Sequence, residues 1–156
     1  MLADDDVAPP GAGDDDDRRP LRLAGRCVLV VEDQAIITMH IEQTLREAGA
    51  SVALAYDGRG ALALAGRVER LDAAVLDLWL PDMDGAELAE RLRAMRPALP
   101  VVVETGAPFM AVAHVIAGGP TAVLEKPFGP AELVAAIVRL IERGARERPS
   151  NRPAGR

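Results

Sequence analysis

Five short apolar runs, each followed by a segment with helical spacing, govern what this chain can fold into. The runs are Cys27–Val31, Ser51–Ala55, Asp72–Leu76, Leu99–Val103 and Thr121–Leu124. They have strand length, and the third is apolar after its first residue, as expected of a strand covered on both faces. After the first run, Ile37, Ile41 and Leu45 repeat every four residues, and Gly49 provides a stop. Asp57-Gly58 turns the chain into a second helix carrying Leu62 and Ala65. A third helix is lined by Leu88, Leu92 and Met95 and ends before Pro97. A weaker fourth lies near Phe109–Ala117 and is stopped by Gly118-Gly119-Pro120. Pro130 suits the first position of the last helix, with Leu133, Ile137, Leu140 and Ile141 facing inward. Five βα units in one stretch predict a doubly wound α/β domain with a parallel sheet.

That domain is expected over residues 25–143. The chain has 156 residues, 49% of them hydrophobic, which is enough for one core. Aromatic residues are few, so the core must come from Val, Leu, Ile and Ala. The lone Cys27 has no partner for an intrachain disulfide and reads as a buried structural thiol. Residues 1–24 hold the aspartate runs Asp4–Asp6 and Asp14–Asp17 around Pro and Gly, a composition expected to stay disordered. Such a tail either tethers a basic partner or adds solubility. Residues 144–156, rich in Arg, Pro and Gly, read as a second tail. The formal charge of −6 argues against nucleic-acid binding. No apolar stretch is long enough to span a bilayer, and the N-terminus is acidic where a signal peptide is basic, so a cytoplasmic location is expected.

The chemistry sits at the C-terminal ends of the runs. Glu32 and Asp33 follow the first, Asp77 the third, Thr105 the fourth and Lys126 the fifth. In an open parallel sheet these ends lie side by side, and ligands bind in the crevice beyond them. Three acids, a hydroxyl and an ammonium in one crevice suit a divalent cation and a phosphoryl group. Lys126 is the only lysine, every other cationic side chain being arginine. A lone lysine in such a background marks a need for a flexible point charge.

The stretches VLVVEDQ (28–34), AAVLDLWLPDMDG (73–85), VVVETG (101–106) and LEKPF (124–128), in this order, resemble the receiver domains of two-component response regulators. The resemblance implies a flavodoxin-like (βα)5 fold with strand order 2-1-3-4-5. It implies Asp77 as phosphoacceptor and Mg²⁺ held by Asp33 and Asp77, by Glu32 through water and by the backbone carbonyl of Trp79. Thr105 and Lys126 would contact the phosphoryl oxygens, and the Lys126-Pro127 bond would be cis. The partner would be a histidine kinase or histidine phosphotransfer protein. The chain would catalyse only its own phosphorylation and dephosphorylation, and would signal by protein–protein interaction or phosphorelay. The threonine–glycine pair and the run Lys126–Leu133 resemble stand-alone receivers. The family usually has an aromatic residue three positions before its lysine. Here that position is Val123, which puts the familiar threonine–aromatic coupling in doubt.

Two other readings use the same residues. Gly58-Arg59-Gly60-Ala61-Leu62-Ala63 fits a dinucleotide fingerprint, with Asp77 placed for a ribose, but it leaves Asp33, Thr105 and Lys126 unexplained. A haloacid-dehalogenase-type phosphatase shares the aspartyl-phosphate logic, yet its D-x-D motif is absent after the first run. Glu104 is anomalous as an acid in a central strand and calls for a partner such as an arginine. His40 and His114 read as structural or surface residues, Tyr56 and Phe128 as packing, and Trp79 as a cover or water screen for the crevice.

Overall fold

The computed structural model describes residues 21–106 and 118–147. Five strands alternate with helices: β1 (Cys27–Val31), α1 (Ala35–Glu47), β2 (Ser51–Ala55), α2 (Gly58–Arg67), β3 (Ala73–Asp77), α3 (Gly85–Met95), β4 (Val101–Thr105), β5 (Thr121–Glu125) and α4 (Pro130–Glu147). The helix expected near Phe109–Ala117 lies outside the described residues. All strand pairs are parallel, in the order β2-β1-β3-β4-β5. This is the flavodoxin-like arrangement that the resemblance implies.

Strand side chains alternate between two cores. Leu29, Val31, Leu76 and Val103 face α2 and α3, where they meet Ala61, Ala65, Leu88 and Leu92. Val28, Val30, Val75 and Val102 face α1 and α4, where they meet Ile41, Leu45, Leu133 and Ile137. Each fully buried Val or Leu contributes about 1.5–3 kcal/mol. The small alanines of α2 bring that helix close to the sheet.

The helix ends follow their residues. Gly49 has φ +93°, Ala50 N donates to Leu45 O and Gly49 N to Arg46 O, which closes α1 in a Schellman motif. Asp57 accepts from Gly60 N and Asp84 from Ala86 N, capping α2 and α3. Such caps are worth about 1 kcal/mol each.

Several expectations need correction. Leu23, assigned to the acidic tail, is buried in the α1/α4 core, and its N–H donates to Ala48 O. Ala24 N donates to Leu21 O and Arg26 N to Leu23 O, which folds these residues into a turn ahead of β1. Residues 144–147 continue α4, because Ala, Arg and Glu favour helix and one Gly costs only about 1 kcal/mol. Residues 99 and 100 precede β4, since Ala98 at φ 62° and the Leu99 N–H to Arg96 O bond form a turn there. Met95 and Tyr56 are exposed rather than packed, and Cys27 is half-buried. Phe128 does pack on the α1/α4 core, and His40 is on the surface.

Candidate phosphoacceptor site

The parity of the strands carries one face of the sheet into the site. Val30, Val75, Val102 and Leu124 belong to the α1/α4 side, so Glu32, Asp77, Glu104 and Lys126, each two residues on, continue that face. Glu32 and Asp77 are buried, and Asp33 is exposed beside them. One carboxylate oxygen from each of Glu32, Asp33 and Asp77 lies within 4.8 Å of the others. The Lys126 ammonium reaches Glu32 Oε2 at 3.3 Å and Asp77 Oδ2 at 3.4 Å.

Local bonds hold these groups in place. Gln34 N donates to Glu32 Oε1 at 2.9 Å, and the Thr38 hydroxyl donates to Glu32 O at 3.1 Å, tying the site to the first turn of α1. Trp79 N donates to Asp77 Oδ1 at 3.1 Å. Lys126 N donates to the Thr105 carbonyl at 2.9 Å, which joins the ends of β4 and β5. The Lys126-Pro127 bond is cis. Thr105 is fully buried at the last position of β4. The Trp79 ring, expected to cover the crevice, is 65% exposed and lies largely in solvent.

Three features escaped the reading of the sequence. A Cβ on Gly85 would stand 2.4 Å from the Asp77 carbonyl oxygen, so only glycine lets α3 start this close to Asp77. Asp82 accepts from Gly58 N at 2.8 Å and Arg59 N at 2.9 Å. With Asp57 on Gly60 N, this occupies the N–H groups of the α2 start that a dinucleotide phosphate would need. The third is the setting of Glu104. No arginine among the described residues reaches it. It is fully buried, no described N–H or ammonium donates to either carboxylate oxygen, and its carboxyl shares a hydrogen bond with that of Glu32. A D-G spacing hinted at the first two; nothing local hinted at the third.

The acids perturb one another. Burial pushes the Glu32 carboxyl up, with Asp77 adding to the rise and the Gln34 N–H, Lys126 and a hydrogen bond with Glu104 opposing it. Glu104 is pushed up to about 8, chiefly by burial, with Glu32 and Asp77 adding and Lys126 opposing. Burial pulls the Lys126 ammonium down, yet its pKa is raised overall because Glu104, Asp77 and Glu32 outweigh that cost. Clustered acids of this kind favour a hard, oxygen-seeking cation.

The family model for the response regulator receiver domain matches residues 28–138. The chain belongs to the response regulator receiver family. Receiver domains are phosphoacceptor signalling modules that take phosphoryl groups from histidine kinases, not enzymes acting on a separate substrate. Among curated relatives, the transcriptional regulatory protein TcrA of Mycobacterium tuberculosis is 39% identical over 136 residues, 86% of this chain and 53% of that protein. The chain thus spans about half the length of the curated relatives it matches. A CheY-like receiver domain protein from Methanospirillum hungatei superposes with a TM-score of 0.73 at 28% identity, covering 78% of this chain and 98% of that one. The receiver domain of the sensor histidine kinase PA1611 from Pseudomonas aeruginosa superposes with a TM-score of 0.68 at 33% identity, covering 76% and 99%. That structure has a magnesium ion coordinated in its active-site cleft. In this receiver domain the acidic cluster Glu32/Asp33/Asp77 offers a set of hard oxygen donors of the kind such a cation takes. Among the described residues, no helix is long and apolar enough to cross a membrane.

Proposed function

We propose that Asp77 accepts a phosphoryl group from a phosphohistidine on a kinase or histidine phosphotransfer protein, in a Mg²⁺-dependent reaction. The observation that carries this is the cluster of Glu32, Asp33 and Asp77 facing the single lysine. A carboxylate oxygen of Asp77 forms the new bond to phosphorus, and the bond from phosphorus to the imidazole nitrogen breaks, its electron pair leaving with the imidazole.

Asp33, Asp77, the Trp79 carbonyl and, through water, Glu32 would hold the cation. When bound, it neutralises charge on the acceptor carboxylate and the incoming phosphoryl group. Trp79 N–H on Oδ1 fixes the orientation of the Asp77 carboxylate. Lys126 balances the phosphoryl charge from the β5 side, and Thr105 contacts a phosphoryl oxygen. Signalling then runs through protein–protein contact or onward transfer of the phosphoryl group. The test is uptake of label from acetyl phosphate. It should require Mg²⁺ and stop with chelator; labelling that ignores both would refute the reading.

A further inference from the structure

Among the described residues, no N–H or ammonium donates to either oxygen of the buried Glu104; its carboxyl meets only that of another acid, Glu32. Leaving a buried polar group unpaired costs about 1–3 kcal/mol. A leucine at this central-strand position would carry no such cost. The residue therefore needs a use in some other state of the site. Its neighbours point to one. Glu104 lies in register with Asp77 on β3 and with Leu124 on β5, two residues before Lys126.

The Lys126 ammonium is loosely held. Its distances of 3.3 Å to Glu32 and 3.4 Å to Asp77 are long for charge-assisted hydrogen bonds, which run at about 2.7–2.9 Å. Those two carboxylates also belong to the triad that can take a cation. They cannot direct the same lone pairs to both, and the ammonium and a divalent cation repel. The ammonium then needs another acceptor on this face. Glu104, outside the triad, accepts from no described N–H or ammonium, and it is released from its contact with Glu32 when Glu32 turns to a cation.

We propose that Glu104 is a second seat for the Lys126 ammonium, which moves there when Glu32 and Asp77 turn to a divalent cation. The inference rests on the Mg²⁺ reading above. Glu104 is then a positioning residue that acts through Lys126. The move clears the front of Asp77, and the charge of an arriving phosphoryl group draws the ammonium back. Glu104 is already the largest of the three charges that raise the Lys126 pKa.

Because Lys126 is the only lysine, lysine labelled with ¹³C and ¹⁵N reports this side chain alone. Mg²⁺ is titrated into wild type, Glu104→Gln and Glu104→Leu, followed by the Lys126 Cε and Nζ shifts and by Trp79 fluorescence. Wild type should show a saturable Lys126 shift that both variants lose. Their Mg²⁺ affinity should fall about three- to tenfold, because the ammonium stays in competition. In a Lys126→Met background, Glu104→Gln should change affinity less than about twofold. An unchanged Lys126 shift in the variants would overturn the proposal, as would an equal loss of affinity with and without Lys126. Either result leaves Mg²⁺ binding standing. Failure of wild type to bind Mg²⁺ would instead remove the cation reading and the second seat with it.

Discussion

Asp77 and Glu104 are paired neighbours on β3 and β4, both buried, yet among the described residues only Asp77 accepts from an N–H or an ammonium. One acid is held and oriented at the mouth of the site, and the other lies beside it against a second acid, Glu32.

Asp77→Asn should abolish Mg²⁺-dependent labelling from acetyl phosphate while circular dichroism stays that of the wild type. The amide keeps the shape of the side chain and the acceptor for the Trp79 N–H, but loses the nucleophilic charge. Labelling at the wild-type rate would show that another residue is the acceptor.

Asp33→Ala should weaken Mg²⁺ binding tenfold or more, which corresponds to at least about 1.4 kcal/mol. Asp33 is the exposed member of the triad, so its loss opens no cavity and should leave stability nearly unchanged. Trp79, two residues after Asp77, supplies the fluorescence signal. An unaltered binding curve would remove Asp33 from the site.

Stability of the chelator-treated protein should depend on pH through Glu104. Its pKa rises from 4.5 in the unfolded chain to about 8 in the folded one. Its contribution to folding is therefore fully present below pH 4.5 and is lost as pH rises towards 8. Glu32 shifts in the same direction. Glu104→Leu should raise stability by roughly 1–3 kcal/mol, with a larger gain on the alkaline side of that window than on the acid side. Denaturant melts at the two ends of the window decide it; a gain independent of pH would mean that Glu104 does not titrate there.

Gly85→Ala should destabilise the domain by about 1–3 kcal/mol, since its Cβ would press on the Asp77 carbonyl. Labelling of Asp77 should slow as well, because that contact shifts the acceptor. A variant with wild-type stability and rate would show that α3 yields freely.

Self-dephosphorylation should be slow, on the order of minutes to hours. In the receiver family, the residues two after the acceptor and two after the threonine influence the attacking water. Here they are Trp79 and Ala107, and neither side chain carries a carboxylate, amide or basic group to align it. The exposure of Trp79 removes any argument from screening, so the expectation rests on the missing orienting group. Decay of purified phosphoprotein in Mg²⁺ should be slower than in a Trp79→Asn, Ala107→Glu double variant. Loss within seconds would contradict it.

Much of the architecture was legible because its signals are local. Apolar runs of strand length and four-residue repeats such as Ile37, Ile41, Leu45 are written in consecutive residues, and so are stops such as Gly49. In a parallel sheet the chemistry follows directly after each strand, so Glu32, Asp33, Asp77 and Lys126, which the fold brings together, could be marked as candidates by position alone. The tertiary structure decided the rest, because it depends on which strands lie side by side. Lys126 meets Glu32 across 94 residues of chain and Asp77 across 49. The Gly85 start of α3 against Asp77, the Asp82 cap on α2 and the burial of Leu23 are likewise contacts between separate elements. Glu104 shows the limit most plainly. Its sequence neighbours are those of any buried strand, and only the register of β3, β4 and β5 sets it beside Asp77 with no described N–H or ammonium donating to its oxygens.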